Sequence, residues 1–206
     1  MNETDRAHLR AGATALGVPL SDEQIAKLDR YVALLLSWNE RLNLTAVTAP
    51  RAIVEKHLLD SLALVPHLAG ETLLDVGTGA GLPSVVLAIV RPTLAITAVE
   101  SIHKKVAFVR TVSRELGLSL RVEAVRLETW RHEPTFDVAV SRATFDPAEW
   151  VERGATFVAP GGRLIAMLSA QQTAPPPSDG FDAAMLVRNQ IGDSQRILAV
   201  YRRSQR

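Results

Sequence analysis

Cysteine is absent from the chain. That excludes disulfides and thiolate-held metals before any pattern is weighed. The five histidines (His8, His57, His67, His103 and His132) are scattered and contain no H-x-x-x-H pair, so no metal site is expected. No apolar run comes near the roughly 20 residues that a membrane-spanning helix needs. The longest, at 85–90, is stopped by Arg91 and Pro92. The opening MNETDRAHLR has acids and no apolar stretch, so it reads as neither a secretory signal nor a basic transit peptide; a cytoplasmic protein without membrane attachment is expected. An excess of either charge is missing too: Lys and Arg total 23 against 22 Asp and Glu, a net charge of +1. A polyanionic partner would therefore have to meet local patches rather than an overall field. Two such patches are His103-Lys104-Lys105 with Arg110 and Arg114, and the tail Tyr201-Arg202-Arg203-Ser204-Gln205-Arg206. Each can equally be a solvated face or a frayed end.

What is present suffices for one core. With 206 residues and 47% hydrophobic side chains, the chain suits one full-sized domain and a small appendage. Residues 1–70 read as a helical N-terminal extension. Ser21 and Gln24 form a capping-box pair, and Ile25, Leu28, Val32, Leu35 and Leu42 follow at helical spacing. A second helix is predicted from Pro50, a residue that suits a first turn, through Ile53, His57, Leu58 and Leu62 to about Leu64. From residue 71 to 206 strands and helices alternate: strands at 72–76, 95–99, 119–124, 136–141 and 163–168, helices at 82–90, 102–116 and 147–158. This alternation predicts an α/β fold with a mostly parallel sheet and helices on both faces. Pro160-Gly161-Gly162 is read as the turn before the fifth strand, and the stiff loop 174–180 precedes two closing strands near 183–188 and 195–201.

The first strand ends in Asp75-Val76 and turns through Gly77-Thr78-Gly79-Ala80-Gly81 into an apolar helix. Glycines there let the backbone approach a ligand at the carboxyl end of the strand. A dinucleotide fingerprint needs its third glycine where this chain has Leu82, and no Gly-Lys-Ser/Thr follows for a phosphate loop. Glu100 closes the next strand, where a ribose hydroxyl pair would want a carboxylate; it could also be a plain charge at a helix start. Arg126-Leu127-Glu128, after the third strand, can flank an adenine or be an exposed turn.

In this order the features resemble the class I S-adenosylmethionine-dependent methyltransferases, whose first strand carries an acid followed by G-x-G-x-G. A closer resemblance, over residues 20–168, is to the bacterial 16S ribosomal RNA guanine-N7 methyltransferases, the glucose-inhibited division protein B family. The residues that carry it are Trp38-Asn39, Asn43-Leu44-Thr45-Ala46, His57-Leu58-Leu59-Asp60-Ser61-Leu62 and Asp75 to Pro83. Glu100-Ser101, Lys104-Lys105, Phe108, Phe136-Asp137 and Ser141-Arg142-Ala143 continue it. The resemblance implies a Rossmann-like sheet with an antiparallel closing strand and S-adenosyl-L-methionine as cofactor. It places Gly77 and Leu82 at the methionine and ribose part, Glu100 at the ribose, Leu127 and Glu128 on the adenine side, and Arg142 where cofactor and guanine meet. The implied partner is 16S ribosomal RNA or the small ribosomal subunit, met by a monomer.

Two stretches depart from that family. Ser84 stands where glycine is usual, and Met167-Leu168-Ser169-Ala170 replaces a Leu-Lys-Gly ending of the fifth strand, a change that bears on the acceptor. Guanine N7 has a free in-plane lone pair, so no acid or base residue is required; alignment and a dry site are. Other readings keep the cofactor and change the acceptor to another RNA, a protein or a small molecule, or make the chain a catalytically silent RNA-binding relative.

Overall fold

The computed structural model describes residues 1–131, 135–142 and 144–205. His132, Ala143 and Arg206 of the motifs above lie outside the described residues. Helix α1 (Glu3–Ala15) is closed by a capping box between Asn2 and Asp5, and α2 (Asp22–Leu42) by the one between Ser21 and Gln24. Each pair satisfies amides that the first turn would leave without partners. Asn43 ends α2 in the left-handed region at φ 50°, a conformation asparagine tolerates better than most residues.

The segment from Pro50 is less regular than its apolar spacing predicts. It runs as α3 (Pro50–Ile53), a π-helical stretch (Val54–Leu59) and α4 (Asp60–Leu62). Side chains occupy carbonyls of the widened turn: the Ser61 hydroxyl donates to the His57 carbonyl at 2.7 Å, and Arg142 Nη1 to that of Lys56 at 2.9 Å. A π turn of this kind is often found at functional sites.

The sheet holds β1 (Thr72–Val76), β2 (Ala95–Glu100), β3 (Leu120–Ala124), β4 (Phe136–Arg142), β5 (Val158–Ser169), β6 (Met185–Ile191) and β7 (Ser194–Arg202). Their order is β3-β2-β1-β4-β5-β7-β6. The first five are parallel, β7 runs antiparallel to β5, and β6 antiparallel to β7. The order reverses between β1 and β4, and there the carboxyl ends of an open sheet leave a crevice for ligands. Helices α5 (Ser84–Val90), α6 (His103–Leu116) and α7 (Pro147–Ala155) connect the strands.

Pro160-Gly161-Gly162 proves to lie inside β5 as a bulge. Phe136 pairs with Val158 and Val138 with Arg163, so three extra residues of β5 are accommodated between them. A Cβ on Gly162 would lie 2.7 Å from the Asp137 carbonyl oxygen, which explains glycine at that point. Helix α7 stops three residues before the predicted 158, because the Phe157 carbonyl accepts from Phe136 N at 2.7 Å and starts the sheet contact.

One face of the sheet is buried beneath the N-terminal helices, α5 and α6. Leu9, Leu28, Leu35 and Leu58 belong to the same cluster as Val85, Phe108, Val138 and Val140. Phe108 lies between Tyr31 and Trp38, with ring centroids 6.4 and 5.5 Å away, and so locks α2 to α6. Truncating a buried aromatic of this kind costs about 3–5 kcal/mol. The opposite face packs Leu74, Ala139 and Leu164 against Trp150 of α7.

Candidate functional site

The glycine turn begins at a buried acid. Asp75 accepts from Ser84 N at 3.2 Å and from the Ser84 hydroxyl, so the end of β1 is tied to the start of α5. Burial raises its pKa above the usual carboxylate range, against the pull of the Ser84 hydrogen bonds. With this carboxyl at the helix start, a dinucleotide pyrophosphate would find an acid where it needs free amides. Ser84 therefore has a definite role, since its hydroxyl supplies one of the donors to Asp75.

Gly77, Gly79 and Gly81 all have positive φ, at 73°, 59° and 88°. Two are required by crowding: a Cβ on Gly77 would lie 2.1 Å from Thr144 Oγ1, and one on Gly81 2.4 Å from Val85. At Gly79 an added Cβ would meet only the Gly77 carbonyl at 3.9 Å, so open space lies above the middle of the turn. The turn is held from three sides. Gly77 N and Thr78 N donate to the Val99 carbonyl, Tyr31 of α2 donates to the Ala80 carbonyl at 2.8 Å, and Gly79 N donates to Glu100 Oε2 at 3.0 Å. The second Glu100 oxygen accepts from Ile102 N at 2.9 Å.

Three adjoining cavities open at the carboxyl ends of β1, β2 and β4. The first, about 300 Å³, is lined by Gly77, Glu100, Leu127, Glu128 and Phe145 among others, bringing together four residues singled out in the sequence. Leu127 is buried, whereas Glu128 is exposed and receives Arg153 Nη1 at 2.6 Å. Its own backbone amide and Arg153 hold the Glu128 carboxyl below the usual range. Leu82 is not on this wall. It lines a second cavity of about 160 Å³ with Gly77, Thr45, His57, Lys105 and Arg142. The third, about 200 Å³, is lined by Asp60, Arg142, Phe145, Met167, Gln172 and Arg196 among others. Arg142 thus separates the second cavity from the third, and Phe145 the first from the third.

Arg142 is an ion-pair residue, with a buried partner. Its Nη1 lies 2.9 Å from the Lys56 carbonyl and 3.2 Å from Asp60 Oδ2. Burial pushes the Asp60 carboxyl up, opposed by Arg142 and Arg196. Nearby, His57 Nε2 is 2.9 Å from Thr45 Oγ1. Burial, and next the Arg142 charge, lower the pKa of His57 to about 4, so its ring is neutral at pH 7. Thr45 is set in place by Asn39, whose Oδ1 accepts from Leu44 N and Thr45 N at 2.6 and 2.9 Å.

The motif residues Asn39, Thr45, His57 and Asp60 had no individual roles in the sequence reading. His57 and Asp60, flanking the Leu58-Leu59 pair in VEKHLLDSL, were the available signal, because ionisable groups buried with such leucines need partners. The altered stretch at the end of β5 borders the third cavity, and Ser169 stands opposite Arg196 in the β5–β7 ladder. A guanidinium on β7 thus reaches the space where β5 offers no cation. Of the basic patch, Lys105 lines the first two cavities, whereas Arg110 donates to the Val122 carbonyl at 2.8 Å. Among the described residues no group of three His, Cys, Asp or Glu is placed to hold a metal, and no helix is long and apolar enough to cross a membrane.

A family model described as GidB, rRNA small subunit methyltransferase G, matches residues 24–176. Ribosomal RNA small subunit methyltransferase G of Anaeromyxobacter dehalogenans (strain 2CP-C) is 50% identical over 167 residues, 79% of this chain and 78% of the relative. The protein of the same name from Myxococcus xanthus (strain DK1622) is 41% identical over 170 residues, 80% of this chain and 78% of the relative. Among solved structures, TehB from Haemophilus influenzae superposes with a TM-score of 0.53 at 12% identity, covering 81% of this chain and 66% of that one. That likeness is one of fold.

Proposed function

The chain belongs to the rRNA small subunit methyltransferase G family, and on that premise we propose that it transfers a methyl group from S-adenosylmethionine to N7 of a guanine in 16S ribosomal RNA. The observation that carries this reading is the crevice itself: an open glycine turn beside the Glu100 carboxylate, whose two cavities share Phe145 and Arg142 with the third. The residues fit the cofactor. Open space above Gly79 admits its amino-acid end, Glu100 can accept ribose hydroxyls beside its two backbone donors, and Leu127 offers an apolar wall to adenine. Gly77, Leu82, Glu100, Leu127, Glu128 and Arg142 are the residues we assign to holding it.

When bound, S-adenosylmethionine supplies an electrophilic methyl carbon on a sulfonium, whose carbon–sulfur bonding pair returns to sulfur as N7 bonds to that carbon. N7 has no proton to lose, so the chain needs no general base, and neutral His57 is not asked for one. Its residues instead have to hold N7 in line and keep water out. Phe145 provides a flat wall, stacked at 14° on Trp150, whose Nε1 is fixed by the Ile165 carbonyl at 2.9 Å. Arg142, pinned by Lys56 and Asp60, is a fixed donor at the junction of the cavities.

The test uses labelled S-adenosylmethionine and small ribosomal subunits or 16S RNA from cells lacking the native activity. Label in 16S RNA, with chain cleavage at N7-methylguanine, is expected. Label in protein alone would overturn the assignment of the acceptor, and cofactor binding without transfer would mark a catalytically silent relative.

A further inference from the structure

We propose that Asp60 is the residue that selects guanine, its carboxylate accepting the N1–H of the acceptor base while Arg142 donates to O6. This deepens the rRNA methyltransferase reading and rests on it. The third cavity is the space next to the cofactor groove, and Phe145 is the wall they share. Arg142 borders both the cavity at the glycine turn and this one, whereas Asp60 borders this one alone. Moving away from the turn, the chain thus presents a donor and then an acceptor. On guanine, moving away from N7, the edge presents O6, an acceptor, and then N1–H, a donor. Adenine has the opposite order, an amino donor and then an N1 acceptor, and would set donor against donor.

The carboxylate has capacity for this bond. Oδ2 is engaged by Arg142 Nη1 at 3.2 Å. Oδ1 makes no hydrogen bond among the described residues; Arg196 Nε lies 3.7 Å from it, beyond hydrogen-bond length. The Asp60 side chain is 8% exposed, which strengthens any charge-assisted bond it makes. As the N7 lone pair forms its bond to carbon and the carbon–sulfur pair leaves with sulfur, positive charge passes onto the purine. N1–H then becomes a stronger donor, so its bond to Asp60 tightens toward the transition state. The loss of this bond should therefore fall on the transfer rate.

The experiment compares the full-length protein with Asp60→Asn. The RNA carries guanosine at the methylated position, located with the wild type, or 1-deazaguanosine, in which C–H replaces N1–H. Cofactor affinity by calorimetry, RNA affinity by filter binding and single-turnover transfer are measured. We expect cofactor affinity to stay within about twofold, and transfer to fall roughly ten- to a hundredfold for either change. The two losses should not multiply when combined. Losses that multiply would mean that Asp60 acts only by anchoring Arg142, and unchanged transfer by Asp60→Asn would also overturn the proposal. Should that variant lose its cooperative melting, the wild type on the 1-deazaguanosine RNA decides alone: an undiminished rate refutes the contact. No transfer by the wild type to any guanine would instead bring down the functional reading, and this inference with it.

Discussion

Glu100→Gln tests the candidate cofactor site with two separable readouts. The Glu100 carboxylate accepts from Gly79 N at 3.0 Å with one oxygen and from Ile102 N at 2.9 Å with the other. A glutamine amide has one oxygen and one NH₂ group, so it can satisfy only one of these backbone donors and turns a donor toward the other. Losing one hydrogen bond to a charged acceptor at this buried position costs about 1.5–3 kcal/mol. For a chain of this size that corresponds to a fall of roughly 3–12 °C in the melting temperature of the cofactor-free protein. The ribose hydroxyls lose a charged acceptor as well, so cofactor affinity should weaken by about ten- to a hundredfold. A cofactor analogue without the ribose hydroxyls separates the effects, since between wild type and variant it should lose only the smaller part of the affinity that depends on the turn. Weakened cofactor binding with an unchanged melting temperature would refute the support of the turn by Glu100. A lowered melting temperature with full affinity for the intact cofactor would refute the ribose contact.

Arg142→Ala removes the donor shared by the second and third cavities; cofactor affinity should fall only a fewfold and transfer by about a hundredfold or more. Equal transfer rates would remove Arg142 from the site. His57, with its pKa lowered to about 4, refuses a proton that the unfolded chain takes up near pH 6.5. Its contribution is present above about pH 6.5 and is lost as pH falls toward 4, by up to about 3 kcal/mol, and His57→Gln should flatten that part of the curve of melting temperature against pH. Tyr31→Phe leaves the Ala80 carbonyl without its 2.8 Å donor. Thermal melts should show a loss of about 1–3 kcal/mol, with weaker cofactor binding because the glycine turn loses its tie to α2.

Some elements were legible because one local cause dominates them. The Ser21–Gln24 capping box, the glycine turn and the short apolar strands are each specified by neighbouring residues. The π-helical stretch at Val54–Leu59 was hidden, because its apolar residues keep a helical spacing whichever hydrogen bonds the backbone makes. The bulge at Pro160-Gly161-Gly162 looked like a turn because proline and glycine punctuate both, and only pairing with β4 distinguishes them. The family resemblance places Leu82 with Gly77 at the methionine and ribose part of the cofactor. Both residues line the cavity at the glycine turn, and of the two only Gly77 also lines the one beside Glu100, a division that depends on how the turn folds.

By itself the sequence determined the alternation of strands and helices, the glycine turn at the end of β1 and the acid closing β2. Periodicity, glycine chemistry and strand ends act over a few residues. The tertiary structure alone decided that Arg142 and Arg196, 82 and 136 positions further along the numbering than Asp60, both reach its carboxylate. That meeting depends on the order of β4, β5 and β7 in the sheet and on how the π turn packs across it, and no local pattern encodes such a distance.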